Sequence, residues 1–241
     1  MKAILSAQVI QQYETTLLAS SLFYGFDEKE LEEYLSLAPV IIKTYKKNDF
    51  IALAGDDMEG IGVMLEGSAL LTRENVMGQR NIMTDLSVSD MFGEALLFSK
   101  KPLWPATIVA KKPCKIMFIP LDTFMATLPR CHQCQTKLLS NLLEDLSEKT
   151  LTLTRKVHYL TLKGMRERIF AYLTDMYMRQ KSATLRIPHT RQEMADILNV
   201  SRTALSRELS RLDKEGIISI SGKSITINDL NQVSEFGFTN N

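Results

Sequence analysis

Thr190-Arg191-Gln192-Glu193-Met194-Ala195-Asp196-Ile197-Leu198-Asn199-Val200-Ser201-Arg202-Thr203-Ala204-Leu205-Ser206-Arg207 is the stretch on which the reading of this 241-residue chain turns. It contains two helix starts in close succession. Thr190 and Glu193 form a capping-box pair: the threonine oxygen accepts the amide three residues on, and the glutamate reaches back to the cap amide. A helix is therefore expected over Arg191 to Leu198, with small Ala195 allowing another helix to approach closely. Asn199 and Val200 make a short turn, and Ser201 caps the next helix. That helix, Arg202 to Lys214, divides by face. Leu205, Leu209 and Leu212 recur at spacings of four and three and form a buried side. Arg202, Thr203, Ser206, Arg207 and Ser210 lie on the other. Two tightly joined helices, the second presenting arginines and short hydroxyls near its start, match what entry into a DNA major groove requires.

The alternative is that these arginines merely solvate a helix face. Cap, turn, apolar register and the following residues agree against it. Ile217 to Ile220 and Ser224 to Ile227 flank Ser221-Gly222-Lys223, a β-hairpin wing whose tip lysine can reach a phosphate. Arginine donates two hydrogen bonds to guanine O6 and N7, and serine or threonine serves phosphates or base edges. Arg207 is the expected base reader and Arg202 a phosphate contact, with Thr190, Arg191, Ser201, Thr203, Ser206, Ser210 and Lys223 completing the expected interface. Upstream, Lys163 to Met178 reads as a helix with Ile169, Tyr172 and Leu173 inward. Charge agrees: residues 161–223 carry 12 Lys and Arg against 7 Asp and Glu, whereas residues 1–160 carry 17 against 19. A basic excess confined to one segment suits docking of a polyanion there.

Further toward the N-terminus, Leu139, Leu143, Leu146, Thr150, Leu153, Val157 and Leu160 alternate at spacings of four and three, a heptad-like seam. Either it lies on its own domain or it pairs with a second copy. The length and narrowness of the stripe favour a homodimer, with Thr150 a polar interruption. Residues 10–38 look helical, with Asp27 capping Glu28 to Leu37 and Pro39 ending the run. Between them, short β-rich runs at Ile61–Leu65, Ser68–Thr72, Ile82–Leu86, Thr107–Ala110 and Cys114–Ile119 alternate with turn signals, as in a compact antiparallel barrel or jelly roll. The fold class is α+β. The expected domains are a sensing jelly roll with N-terminal helices over 1–135, a dimerisation helix over 136–160 and a winged helix-turn-helix with a short tail over 161–241.

Composition excludes other classes. With 45% hydrophobic residues the chain can build a core. No apolar run is long enough to span a bilayer and no signal-peptide pattern opens the chain, so the cytoplasm is the expected location and a membrane is not an expected partner. Three cysteines suit a reducing compartment. No clustered nucleophile, base and oxyanion set and no glycine-rich phosphate loop is present, which argues against an enzyme.

The helix-turn-helix resembles that of the catabolite-activator and fumarate-nitrate-reduction (Crp/Fnr) regulators. The hairpin is similar to that family's wing, and Met91-Phe92-Gly93-Glu94-Ala95 with Ala106-Thr107-Ile108-Val109-Ala110 resembles its effector-pocket pattern. The resemblance covers roughly residues 20–228. It implies a homodimer with a cyclic-nucleotide-binding-like jelly roll, effector-gated binding to palindromic double-stranded DNA, and RNA polymerase as a further partner. A constitutive regulator, or a dimeric scaffold with a vestigial sensor, is the alternative.

The departures are specific. Thr203 stands where the family often has glutamate, so the operator is expected to differ at that base. Cyclic-AMP-binding members use a glycine–glutamate pair for the ribose, matched by Gly93 and Glu94, and an arginine and serine for the phosphate. Those latter positions are Trp104 and Pro105, which supply neither charge nor hydroxyl, and a phosphate buried without a charged partner is costly. Cyclic AMP is therefore not expected, although Lys100 and Lys101 lie nearby. Phe92, Gly93, Glu94, Trp104 and Pro105 are the candidate effector-pocket residues. Trp104 either fills the space, walls it for a less anionic small-molecule effector, or simply packs the barrel. Gly93 and Glu94 also suit a structural turn. An iron–sulfur cluster is not supported, since no cysteine precedes Cys114. Haem has no support either, and no metal site is expected. Cys131 and Cys134 form a C-x-x-C pair open to inert, redox or metal-binding readings.

Overall fold

A computed structural model describes residues 2–74, 80–127 and 132–234. They divide into two compact units, one ending at Glu148 and the other beginning at Lys149.

In the first unit, α1 (Ala7–Leu18) buries Ile10, Tyr13 and Leu17 along one face. A short 3-10 turn follows at Ser21–Phe23. Helix α2 (Glu28–Leu37) starts at Asp27 as the sequence predicts. The Asp27 carboxylate accepts the Glu30 amide and the Glu30 carboxylate accepts the Asp27 amide, both at 2.9 Å. Among the described residues eight strands then run in chain order: β1 (Ile41–Tyr45), β2 (Phe50–Ala52), β3 (Gly60–Glu66), β4 (Ala69–Glu74), β5 (Arg80–Leu86), β6 (Met91–Phe92), β7 (Thr107–Ala110) and β8 (Cys114–Pro120). They form two antiparallel sheets ordered β1-β8-β3-β6 and β2-β7-β4-β5. The five strands expected from the sequence are β3, β4, β5, β7 and β8. Strands β1, β2 and β6 carry too little local pattern to stand out, since two are three residues or fewer and β1 lies half-exposed.

Strand β3 is buried on both faces, which explains its unbroken apolar run. Its alternate residues face two cores. Met64 joins Phe92, Trp104, Ile108, Ile116 and Phe118 in one cluster. Ile61 and Val63 pack with Leu17, Phe23, Leu31 and Tyr34 of the helical layer in the other. After α3 (Leu121–Thr127) comes α4 (His132–Thr161), 30 residues or about 45 Å of helix. Its beginning is tied to the first unit. Cys134, Leu138 and Leu142 join the helical-layer core. Asn141 Nδ2 donates to the carbonyls of Leu22 and Tyr24 at 2.9 Å, and Lys137 Nζ donates to Glu30 at 2.6 Å and to the Gly25 carbonyl at 2.9 Å. Cys134 is thus packed inside the unit, while Cys131 lies outside the described residues.

The second unit contains the end of α4, α5 (Met165–Gln180), β9 (Thr184–Arg186), α6 (Arg191–Leu198), α7 (Arg202–Lys214), β10 (Ile218–Ser221), β11 (Ser224–Ile227) and α8 (Leu230–Ser234). The helix expected from Lys163 begins later because Glu167 Oε2 accepts the amides of Lys163 and Gly164, leaving Gly164 as the cap. The antiparallel sheet is ordered β10-β11-β9, and β9, only three residues long, is an addition to the expected hairpin. Ile217 precedes β10, its amide bonded instead to the Leu212 carbonyl. Among the described residues no helix is long and apolar enough to cross a membrane.

Candidate nucleic-acid interface

Helices α6 and α7 have the boundaries their caps predict. Thr190 Oγ1 accepts the Glu193 amide at 3.2 Å while the Glu193 carboxylate accepts the Thr190 amide at 2.6 Å. These bonds hold the Glu193 carboxyl below its usual range. Asn199 closes α6 in the left-handed region, φ 51°, where asparagine is tolerated better than most residues. Ser201 Oγ accepts the Ala204 amide at 3.1 Å and starts α7. Leu205, Leu209 and Leu212 are buried against Met194, Ala195 and Leu198, each leucine worth about 1.5–3 kcal/mol of burial. That packing orients everything else. Arg202, Thr203, Ser206, Arg207 and Ser210 are all exposed and line one open groove with Arg211 and Lys214.

The basic residues of this unit have divided tasks that their sequence does not reveal. Arg166 of α5 donates to Glu208 of α7 at 2.8 Å and, through both terminal nitrogens, to Glu215 at 2.8 and 2.9 Å. The two glutamates hold its guanidinium firmly charged, and Arg166 in turn lowers the Glu215 carboxyl. Arg168 donates to the carbonyls of Leu162 and Leu198 at 3.1 Å, placing a cation on the C-terminal carbonyls of α6. Arg211 leans on Glu215 and Glu208 at 3.6 and 4.0 Å. Among the described residues, Arg202 and Arg207 enter no ion pair. The unit therefore uses Arg166 and Arg168 for its own geometry and leaves two recognition-helix arginines facing solvent.

The wing is the β10–β11 hairpin, turning at Gly222 with φ 58° and leaving Lys223 exposed. The Ile187 amide donates to the Lys223 carbonyl at 2.9 Å, which ties the wing tip to the segment entering α6. Between them lies a cleft of about 240 Å³ lined by Ile187, His189, Thr190, Arg191, Gly222, Lys223 and Ile225. His189 Nδ1 shares a 2.7 Å hydrogen bond with the Tyr172 hydroxyl. Burial pushes the Tyr172 phenol up to about 12 and pulls the His189 imidazole down, with Glu193 opposing and Arg179 reinforcing the latter. His189 belongs to no spaced motif, so nothing in the linear pattern points to it.

Comparison with known proteins agrees with both halves of this architecture. A cyclic nucleotide-binding domain model matches residues 42–131, and a Crp-like helix-turn-helix domain model matches residues 167–236. The chain belongs to the Crp/Fnr family. Like its family, it is a sequence-specific DNA-binding transcription regulator. It is 29% identical over 190 residues to the cAMP-activated global transcriptional regulator CRP of Pasteurella multocida, covering 77% of this chain and 89% of that one. It is 26% identical over 204 residues to the anaerobic regulatory protein of Haemophilus influenzae, covering 82% and 77%. In fold it matches the c-di-GMP responsive global regulator CLP of Xanthomonas campestris with a TM-score of 0.50 at 20% identity, over 84% of this chain and 100% of that one.

In this Crp/Fnr protein the five candidate effector residues do not share one surface. Gly93 takes φ 89°, and a Cβ there would lie 3.0 Å from Trp104 Cη2 and 3.1 Å from Met58 Cε. The Trp104 ring is buried 6.1 Å from that of Phe92, which stands edge-on to Phe118 at 6.0 Å. Both rings belong to the core between the sheets. The backbone of Trp104 is clamped as well, its amide donating to Asp56 and its carbonyl accepting from Gly55. Glu94 is buried and Pro105 is exposed.

The α4 seam also divides. Leu139 packs partly on the helical-layer core and Leu146 is half-buried. Leu143, Leu153 and Val157 are 64%, 62% and 60% exposed, and Thr150 and Leu160 are exposed too. Leu138 and Leu142, outside the expected seam, carry the intramolecular packing instead.

Proposed function

We propose that this regulator acts as a homodimer on a palindromic operator, with Arg207 reading a guanine in each half-site and an effector other than cyclic AMP governing binding. The observation that carries the DNA assignment is the face of α7. Its leucines are buried by the fold, so Arg202, Thr203, Ser206, Arg207 and Ser210 project together, and among the described residues Arg207 enters no ion pair. Thr190, Arg191, Ser201 and Lys223 flank that face as phosphate contacts. Thr203 in place of the family's usual glutamate alters the base preference there.

Dimerisation is supported by Leu143, Leu153, Val157 and Leu160. Four large apolar side chains exposed on one helix at heptad spacing are stabilised by covering them with the same surface of a second copy. Such a dimer sets the two recognition helices for two half-sites about one helical turn apart. Contact with RNA polymerase follows where the operator adjoins a promoter, and that position decides activation or repression.

Trp104 and Pro105 speak against cyclic AMP. The indole occupies space against Gly93 and inside the barrel core, and neither residue can neutralise a phosphate. The relatives named as cAMP-activated do not transfer that effector to this chain. Two measurements test the assignment. Selection from a random duplex pool should return a palindrome. Calorimetric titration with cyclic AMP and cyclic GMP should show no binding at micromolar concentration, and micromolar binding coupled to a tenfold gain in operator affinity would refute the effector claim.

A further inference from the structure

The cleft between the wing and the start of α6 contains a group that the DNA-reading face does not explain. His189 lines it beside Thr190, Arg191, Gly222 and Lys223. The ring is held from behind by Tyr172, whose hydroxyl lies 2.7 Å from Nδ1. Tyr172 is buried on α5 and has no other hydrogen-bond partner among the described residues, so its proton is best satisfied on Nδ1. Neutral His189 is thereby fixed as the tautomer carrying its proton on Nε2. That nitrogen makes no hydrogen bond among the described residues. A buried phenol orienting an imidazole is the arrangement by which a second partner selects which ring nitrogen can donate.

The charges around the ring are uneven. Arg191 and Lys223 share the cleft with it, and Arg179 of α5 also disfavours a positive charge there. Glu193 is the opposing carboxylate, and it is already bonded to the Thr190 amide. With no anion present, burial and Arg179 outweigh Glu193 and hold the His189 imidazole below its ordinary range. An anion seated between Arg191 and Lys223 reverses that preference, because it stabilises the imidazolium directly. Protonation then turns the bond round, with Nδ1–H donating to the Tyr172 oxygen and Nε2–H donating to the anion.

We propose that this cleft seats one backbone phosphodiester of DNA per protomer, with His189 as its third donor, and that DNA binding here takes up a proton. The proposal rests on the DNA-binding reading above and deepens it. It adds a phosphate donor that Tyr172 positions, and it makes affinity rise as the medium acidifies. Because the ligand is backbone rather than a base edge, the contribution is the same on every sequence.

The full-length wild type, His189→Gln, His189→Ala and Tyr172→Phe are titrated into the selected operator and into a scrambled duplex of equal length. Each is measured at about pH 6 and about pH 8 over a range of salt, conditions bracketing histidine's ordinary titration. Wild type should bind both duplexes about threefold or more tighter at the lower pH, in line with one charge-assisted hydrogen bond formed in each half-site. His189→Ala should abolish that acid enhancement and weaken both duplexes by a similar factor. Its salt dependence should change little, because Arg191 and Lys223 still neutralise the same phosphate. His189→Gln keeps a neutral donor, so it should retain affinity at the higher pH and lack the acid enhancement. Tyr172→Phe should weaken binding at the higher pH, where the fixed tautomer matters most. Should His189→Ala unfold, the glutamine variant carries the test. A wild-type pH dependence that persists in His189→Gln overturns the inference, as does a loss confined to the operator. In either case DNA binding by the wild type would still stand. A wild type that binds neither duplex overturns the DNA reading and this inference with it.

Discussion

Replacing Arg207 with alanine separates reading from holding. The side chain is exposed and enters no ion pair among the described residues, while Leu205 and Leu209 on the opposite face keep α7 seated. Truncation should therefore change folding stability by no more than about 0.5 kcal/mol, as for ordinary surface positions. The DNA complex loses more. A bidentate arginine–guanine pair is worth about 1–3 kcal/mol of discrimination, and a dimer on a palindrome makes it twice. The expected loss is about 2–6 kcal/mol, or roughly 30-fold to 10⁴-fold in operator affinity. Fluorescence anisotropy on the selected operator, and on operators with each half-site base pair changed in turn, measures both parts. Wild type should bind more weakly when one particular base pair is changed, and Arg207→Ala should not. Arg207→Lys keeps the charge without the planar fork, so it should recover affinity on scrambled DNA and little of the discrimination. A uniform loss on all duplexes would refute base reading and assign Arg207 to phosphate. A large fall in melting temperature would show that the side chain serves the fold.

Leu146→Glu with Leu153→Glu should give monomers by sedimentation and abolish tight operator binding, because two carboxylates would be buried at each copy of the seam. A variant dimeric at micromolar concentration would refute the α4 interface. Arg166→Met should lower the melting temperature of the DNA-reading unit, since it leaves Glu208 and Glu215 with only their looser contacts to Arg211. Arg166 lowers the Glu215 pKa in the folded state, so this stabilisation is complete above the ordinary glutamate range and fades as the pH falls through the lowered value. Wild type should therefore lose its advantage over Arg166→Met in thermal melts below about pH 4.5, and an advantage independent of pH would refute the clamp. Trp104→Ala should destabilise the first unit by about 3–5 kcal/mol by emptying part of the core against Gly93 and Phe92; a melting point unchanged from wild type would refute a packing role.

The helix-turn-helix was legible in the chain because its determinants are local. Thr190 with Glu193 and Ser201 with the Ala204 amide act over three residues, and the 3.6-residue period alone separates Leu205, Leu209 and Leu212 from Arg202, Thr203, Ser206 and Arg207. Local capping likewise announced α2 at Asp27. What escaped were features joining distant residues. Arg166 and Arg168 contributed to the basic excess as though all its members were free, yet their partners are Glu208 and Glu215 in one case and the end of α6 in the other. No spacing rule connects positions 166 and 215.

Periodicity and capping are encoded within a turn or two of chain, so α2, α6, α7, the positions of five strands of the first unit (β3, β4, β5, β7 and β8) and the polar face of α7 could be read from the residues alone. Packing chose which of the like-looking residues are available. It placed Trp104 against Gly93 and left Pro105 outside, gave the first part of α4 to the helical-layer core through Leu138 and Leu142, and brought His189 to the wing with Tyr172 behind it. An arginine's charge and a histidine's ring are properties of the residue. Whether either is free to meet DNA depends on partners that only the folded chain brings within hydrogen-bond distance.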